Sequence, residues 1–416
     1  MKMFCLFALF ALTASADDDL MLSAALSSPQ AMVSLYSSFE KSHGRHYQPA
    51  EERMRLKIFQ KSVQDVAALN SHTSWRSAIN DFADKTEEEK QSYLGLNISL
   101  SLDRPTVSAP RLTSVGAAPA SKSWISEGAV TEVKNQGGCG SCWIFGAVSA
   151  LEGQYKVLTG VLRDMSENNI LDCSSGDGCQ GGWMKTAINW AQANGNRLAS
   201  TSDYPYVGSD GSCKAPSDNV IKGATIIRYT ELSTQYGLNE VTTINALAQG
   251  PLSITLHVIS SFQSYSSGIY ADTTTTAFPN HALAAVAYTS KYILIKNSWG
   301  SSWGDDGYIK VARNWYGCSM HMFVGYPELT SSGVTDNSPS DPVTAYAGET
   351  DDGSVDPKVC EDTVANCQFI LAFCNTNTTR AACQKSCGAC DDTDDGSCAS
   401  GTTRCPDGQC RHIHMC

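Results

Sequence analysis

The chain has 416 residues, 17 cysteines and a formal net charge of −12 at pH 7. No Lys/Arg cluster is available to neutralise phosphates, which argues against a nucleic-acid partner. The charge is uneven: from Glu328 onward, 5 basic residues stand against 14 acidic ones, so the C-terminal end carries most of the excess.

The first residues, MKMFCLFALFALTASA, have the pattern of a secretory signal peptide over 1–16. Lys2 supplies the charged end, Met3 to Leu12 the apolar run, and Ala14-Ser15-Ala16 the small-residue cleavage site. That run is too short to span a bilayer, and no later run of about 20 apolar residues follows. Secretion permits disulfides, so most of the remaining cysteines are expected to pair. Residues 17–35 are small, polar and acidic, and read as a flexible lead-in. Glu51, Arg55, Ile58, Phe59, Val66 and Leu69 then recur at helical steps, with Glu51 and Arg55 placed for an i,i+4 ion pair. Residues 100–117, with Pro105 and Pro110 and no apolar period, read as an exposed linker.

A denser region runs from Trp124 to about Pro327. Within it Cys142 to Thr159 is predicted as a helix, with Ile144, Ala147, Val148, Leu151, Tyr155 and Leu158 on one stripe and Gly160 as the stop. Leu252–Val258, Leu283–Tyr288, Tyr292–Ile295 and Gly307–Ala312 read as strands. Helices first and strands second predict an α+β protein with two halves. Residues 328–358, rich in Ser, Thr, Asp and Pro, read as an acidic linker that buries too little apolar area to order. The cysteine-dense end is too small for a full core and is expected to be stapled.

The stretch QGGCGSCWIFG places Cys139 and Cys142 three positions apart. The pair is open to four readings: a metal clip, a redox pair, a structural disulfide, or a nucleophile beside a structural partner. Zinc needs four ligands, usually in two close pairs, but Cys173 and Cys179 are six apart and histidines are scarce. A redox pair would follow a strand in a repeated βαβ pattern, which is absent. A nucleophilic cysteine needs a base and a group to orient it. Of His257, His281 and His321, His281 stands in NHALAAVAY just ahead of a strand-like run, and Asn297 follows in KNSWGSSWGDDGYIKV. A buried, satisfied histidine is the bland alternative for any one of these, but three separate segments agree.

With these residues together, the chain over 36–327 resembles a papain-family, cathepsin L-like cysteine protease carrying its propeptide. CGSCW surrounds Cys142, and His281 and Asn297 lie 139 and 155 residues beyond it. EERMRLKIFQKSVQDVAALN resembles the family's inhibitory propeptide helix through Glu51, Arg55, Phe59, Val66 and Asn70. AINDFAD resembles its second motif through Asn80, Phe82 and Asp84. The resemblance implies a two-domain papain-like fold, with a helical left half and an antiparallel β-barrel-like right half. A helical inhibitory propeptide would precede it, and a small disulfide-rich module would follow. Cys142 would be the nucleophile, His281 its proton partner, Asn297 the imidazole's orienting group, and Gln136 an oxyanion donor with the Cys142 backbone N–H. Trp299 would shield the His–Asn bond from water. Gly181 and Gly182 would pair with the substrate backbone. Trp183, Met184, Thr255, Ala282 and Phe323 would form the pocket for the residue two before the scissile bond. Phe323, large and at the pocket's floor, implies a preference for mid-sized apolar residues there. The same resemblance implies the disulfides Cys139–Cys179 and Cys173–Cys213. It also implies a propeptide over 17–117 with its inhibitor domain at about 36–95, a peptidase domain over 118–327, and no cofactor or metal.

Several residues depart from the family pattern: Ser62 and Ala78 in the propeptide, Ile144 and Gly146 behind the nucleophile, and Asn280 before the histidine. Cys318 lacks its usual partner in ADTTTTAFPN and is expected to be an odd thiol. Cys360, Cys367, Cys374, Cys383, Cys387 and Cys390 resemble the small ShKT domain over 359–390. That implies Cys360–Cys390, Cys367–Cys383 and Cys374–Cys387, in a unit that binds an unknown partner or acts as a spacer. Cys398, Cys405, Cys410 and Cys416 in the tail 391–416 match only the first half of an LDL-receptor type A repeat, without its calcium-binding half. Asn97 and Asn377 stand in N-x-S/T sequons. The expectation is a monomeric endopeptidase zymogen acting on proteins or peptides, secreted or in an acidic lysosome- or vacuole-like compartment. A catalytically silent binding protein and an exopeptidase are the competing readings.

Overall fold

The computed structural model describes residues 18–99, 118–176, 178–232, 240–272, 277–313, 317–343 and 346, with two short paired strands at 402–404 and 410–412. The expected signal peptide, the 100–117 linker, the ShKT-like cysteines, Asn377 and the Cys318 side chain lie outside the described residues. Among those described, no helix is long and apolar enough to cross a membrane.

Three apolar cores organise the chain. The N-terminal one gathers α1 (18–27), α2 (Pro29–Ser42) and α3 (Pro49–His72) around Leu22, Tyr36, Phe39, Phe59, Val63 and Val66. The lead-in is therefore helical rather than flexible. Its polar residues face solvent, while Leu22 and Ala25, one turn apart, are buried against the helices that follow. In α3, Arg55 reaches both Glu51 at 2.9 Å and Glu89 at the start of α4 (Glu87–Gln91). Thr86 and Glu89 close a reciprocal capping box at that helix start. Between them β1 (Arg76–Ser77) pairs with β5 (Tyr265–Ser267), which ties the N-terminal segment to the right half. Asn70 closes two bonds with the Ser77 backbone, and Asn80 Nδ2 donates to the Gln263 carbonyl. Ser62 keeps a bond across the segment, to the Ala83 carbonyl at 2.8 Å, and Ala78 N–H donates to the Ser264 carbonyl.

The left half is built on α5 (Cys142–Thr159), α6 (Glu167–Cys173) and α7 (Met184–Ala193). The predicted stripe of α5 is buried from Ile144 to Tyr155. Leu158, in the last turn, is 38% exposed because the helix has by then left the core. Gly160 stops the helix with φ of 78°, in the left-handed region that glycine occupies without strain. The disulfides Cys139–Cys179 and Cys173–Cys213 both form.

The right half is a mostly antiparallel eight-stranded sheet in the order β3-β10-β4-β7-β8-β9-β6, with β2 also on β7. Its strands are β2 (Lys122–Ser123), β3 (Ala224–Glu231), β4 (Leu252–Leu256), β6 (Ile269–Tyr270), β7 (His281–Tyr288), β8 (Tyr292–Lys296), β9 (Tyr308–Ala312) and β10 (Gly325–Ser331). Only β6–β9 pairs in parallel. β4, β7 and β8 are buried along their whole length, which is why they read as apolar runs rather than alternating ones.

Of the acidic stretch 328–358, residues 344–345 and 347–358 lie outside the described residues, and the described part does not behave as a free linker. β10 continues to Ser331, and residues 332–343 and 346 lie against both halves. Asp336 is buried on Arg163, accepting from Nε at 3.1 Å and Nη2 at 2.9 Å, with the Tyr155 hydroxyl at 2.8 Å. Asp341 exchanges backbone and carboxylate bonds with Leu162 and Asp164. The Tyr346 ring then meets Tyr308 of the right half at 4.7 Å, tilted by 44°, and its hydroxyl donates to Asp305. Composition alone missed this because the segment is held by polar and ionic bonds rather than by apolar burial.

Candidate active site

Cys142 is the first residue of α5 and fully buried, and among the described side chains it is the free cysteine. His281 opens β7, and Asn297 follows β8, the strand paired beside it. His281 Nε2 lies 2.9 Å from Asn297 Oδ1, and the Ser298 backbone N–H also donates to that oxygen, at 2.8 Å. An atom accepting from a backbone N–H is the amide oxygen, so Nε2 carries the proton and Nδ1 is the free base. No hydrogen-bond partner meets Nδ1. Trp299 covers the imidazole, ring centroids 4.8 Å apart, and is itself 4% exposed.

Gln136 is oriented from the same strand end. Ser298 Oγ donates to its Oε1 at 2.7 Å, which turns Nε2 toward the cleft. Ser298 thus fixes both amides of the site, through its backbone N–H and its hydroxyl. Sequence reasoning passed over it, although its place between Asn297 and Trp299 was the available signal. Beneath the Gln136 loop lies a buried charge cluster. Lys134 meets Glu152, Asp164 and Glu167 at 3.1, 2.7 and 2.7 Å, and Lys296 donates to Thr131. Three carboxylates share two ammonium groups there. Burial accordingly pushes Glu167 up to about 7, against the pull of Lys134.

The N-terminal segment runs through this site. Gly95 N–H points at Cys142 Sγ, 3.3 Å away, and the Tyr93 carbonyl accepts from Gln136 Nε2 at 3.0 Å. Leu96 pairs in parallel with Gly182: Gly182 N–H donates to the Gly95 carbonyl, and Asn97 N–H to the Gly182 carbonyl, each at 2.9 Å. Leu96 N–H also donates to the Asn280 carbonyl. The sulfur therefore faces an N–H donor rather than a carbonyl carbon, and the segment sits in the cleft without presenting a bond for attack. Enclosure also sets the charge state. Burial raises the Cys142 thiol to about 11 and lowers His281 to about 4, despite the Asn297 bond. Enclosure by the segment therefore disfavours the charged form of both groups.

Trp183, Met184, Ala282 and Phe323 share one apolar cluster, against which Leu96 and Ile98 pack. Thr255 stands opposite Ala282 in the sheet, and its hydroxyl donates to the Met322 carbonyl beside Phe323. Gly182 alone makes the backbone pair, because Gly181 N–H goes to the Gly178 carbonyl at 3.3 Å. Trp299 belongs to the other core, on the histidine side. Asn97 of the sequon is partly exposed in the cleft.

The departures behind the nucleophile have a physical reason. Ile144 is wholly inside the left core, and Gly146 lies where α5 touches β7. A Cβ at Gly146 would sit 2.9 Å from the Leu283 carbonyl oxygen, so only glycine lets the halves close. Asn280 uses its amide to bond the Val258 backbone both ways, which holds the strand end that carries His281.

Residues 118–328 match the family model described as papain family cysteine protease, and residues 36–89 match the cathepsin propeptide inhibitor domain (I29). The chain belongs to the papain family of cysteine proteases. Fruit bromelain from Ananas comosus is 33% identical over 72% of this chain and 87% of its own length. Cathepsin K from Mus musculus is 37% identical over 74% and 97%. Among solved structures, the proform of the ragweed pollen cysteine protease Amb a 11 superposes with a TM-score of 0.66, at 30% identity over 73% of this chain and 94% of that one. Digestive procathepsin L 3 from Tenebrio molitor gives 0.63, at 32% identity over 71% and 98%. The protein is a papain-like cysteine endopeptidase made as a zymogen, with its own propeptide as inhibitor.

Proposed function

We propose that Cys142, His281, Asn297 and Gln136 carry out peptide hydrolysis once the segment over the cleft has left. The Sγ proton passes to His281 Nδ1, and the sulfur attacks the scissile carbonyl carbon. Gln136 Nε2 and the Cys142 backbone N–H hold the resulting oxyanion. His281 returns the proton to the leaving amine, and a water it activates then releases the acyl group from sulfur. The observation that carries this reading is the His281–Asn297 bond, which fixes the tautomer and leaves Nδ1 as the base. Loss of the cover rehydrates the site, which removes the burial that disfavours the charged forms of both groups.

The favoured substrates carry a mid-sized branched apolar residue two before the scissile bond, in the pocket of Trp183, Met184, Thr255, Ala282 and Phe323. Leu96 and Ile98 packing on that cluster support it. The propeptide spans 17–117 and the mature enzyme starts near Ala118. The enzyme enters the secretory route through 1–16 and works outside the cell or in an acidic compartment, as a monomer. The ShKT-like module with its three disulfides serves as a binding or spacing unit. Acid activation followed by a fluorogenic peptide assay tests the assignment. Cys142→Ala is expected to abolish turnover, and Gln136→Ala to lower kcat roughly 100-fold. Activity surviving Cys142→Ala would remove Cys142 as the nucleophile.

A further inference from the structure

The wall of the apolar pocket is held from outside by a charged pair that none of the sequence motifs includes. Trp183 caps the start of α7, is 2% exposed, and presents its ring edge-on to Phe323 at 5.0 Å and 88°. Its indole Nε1–H donates to Glu231 Oε1 at 3.0 Å, and Lys185 Nζ meets the other oxygen, Glu231 Oε2, also at 3.0 Å. Glu231 is the last residue of β3 and lies opposite Gly325, two residues beyond Phe323. The side chains of Glu231 and Lys185 are 16% and 21% exposed, so the pair is largely sheltered.

We propose that Glu231 is a specificity-determining positioning residue, which sets the width of this pocket by fixing the indole of Trp183. The inference rests on the pocket assignment above. The indole is packed inside the left core, but apolar contact is non-directional and leaves the ring some freedom about its own axis. The Nε1–H bond removes that freedom, because only one orientation satisfies the buried donor. Lys185 holds the carboxylate in turn, and its position two residues after Trp183 ties both ends of the link to one helix start. Phe323 is 5% exposed, on a backbone with φ of 50° in the left-handed region. The two aromatic walls therefore cannot part for a larger side chain without breaking the Trp183–Glu231 bond. Discrimination against a bulky aromatic residue follows from the wall's rigidity as well as from the pocket's volume.

The test uses the acid-activated enzyme with matched peptides carrying Leu or Phe two before the scissile bond, with kcat and KM measured for each. Glu231→Ala is expected to lower the Leu-over-Phe selectivity in kcat/KM roughly 3- to 10-fold, mainly through KM. Glu231→Gln keeps an acceptor for the indole and is expected to stay within about twofold of wild type. If Glu231→Ala does not fold, Trp183→Phe removes the donor and keeps an aromatic ring, and it should show the same loss. Phe323→Ala probes the pocket itself. If Phe323→Ala shifts the selectivity and neither Glu231→Ala nor Trp183→Phe does, the pocket stands and the proposal is overturned. If Phe323→Ala also leaves it unchanged, the pocket assignment fails and the proposal with it. An equal loss in Glu231→Ala and Glu231→Gln would also overturn the proposal, because the acceptor would then not be what matters.

Discussion

At Gly95 the propeptide passes over the nucleophile with no room for a side chain. A Cβ there would lie 1.7 Å from the Gly140 carbonyl oxygen, which is backbone and cannot swing aside. Gly95→Ala should therefore lift the segment from the cleft at a cost of about 1–3 kcal/mol, weakening inhibition roughly 5- to 150-fold. Adding the isolated wild-type and variant propeptides to the mature enzyme measures this, and equal inhibition constants would contradict it. Cys142, His281 and Asn297 were legible in the sequence as candidate site residues because each sits in a distinctive local string. Gly95, Ser298 and Glu231 were not, because each matters only through a contact with a segment far away in the chain.

At the scale of elements, the propeptide helices are clamped by ion pairs at their mutual contacts. The Arg55 guanidinium holds the Glu89 carboxyl down at about 2, against 4.5 for an ordinary glutamate. A carboxylate with a depressed folded pKa stabilises the fold above the unfolded value and loses that contribution as pH falls through the folded one. Acidification from about 4.5 toward 2 should therefore progressively loosen α3 from α4. The Glu89 side chain is 43% exposed, so solvent screening keeps the effect modest. Cleavage of the Cys142→Ala zymogen by an added protease, followed against pH, should speed up across that window. Glu89→Gln should flatten the dependence while raising the rate at neutral pH, and an unchanged profile would count against the clamp. The helical identity of α3 was visible in its periodicity. The helix at 18–27 was hidden, because of its residues only Leu22 and Ala25 are buried with α2 and α3, while Leu20, Met21 and Leu26 stay exposed.

For the whole molecule, the segment after β10 is part of the enzyme rather than a tether. It joins Tyr155 and Arg163 of the left half to Asp305 and Tyr308 of the right. Burial opposes ionisation of Asp336, yet the Ser338 N–H, Tyr155 and Arg163 hold its carboxyl down at about 2. Asp336→Ala leaves the Arg163 cation buried without its partner, which typically costs about 3–5 kcal/mol. Truncation after Tyr346 should leave the Tm of the mature enzyme unchanged. Truncation after Ser331 should lower it by several degrees, about 2–4 °C per kcal/mol lost in a domain of this size. Equal Tm values for the two truncations would refute this role.

The sequence by itself determined the reaction class, the two lobes and the propeptide, because local motifs and periodic runs carry the family resemblance, and that resemblance implied both left-half disulfides. Only the tertiary structure decided which glycine pairs with a strand in the cleft, why Gly146 stands behind Cys142, and that the described part of an acidic stretch bonds to both halves. Those outcomes depend on close approaches and paired charges between distant segments, and neither composition nor periodicity records which partner a residue will meet.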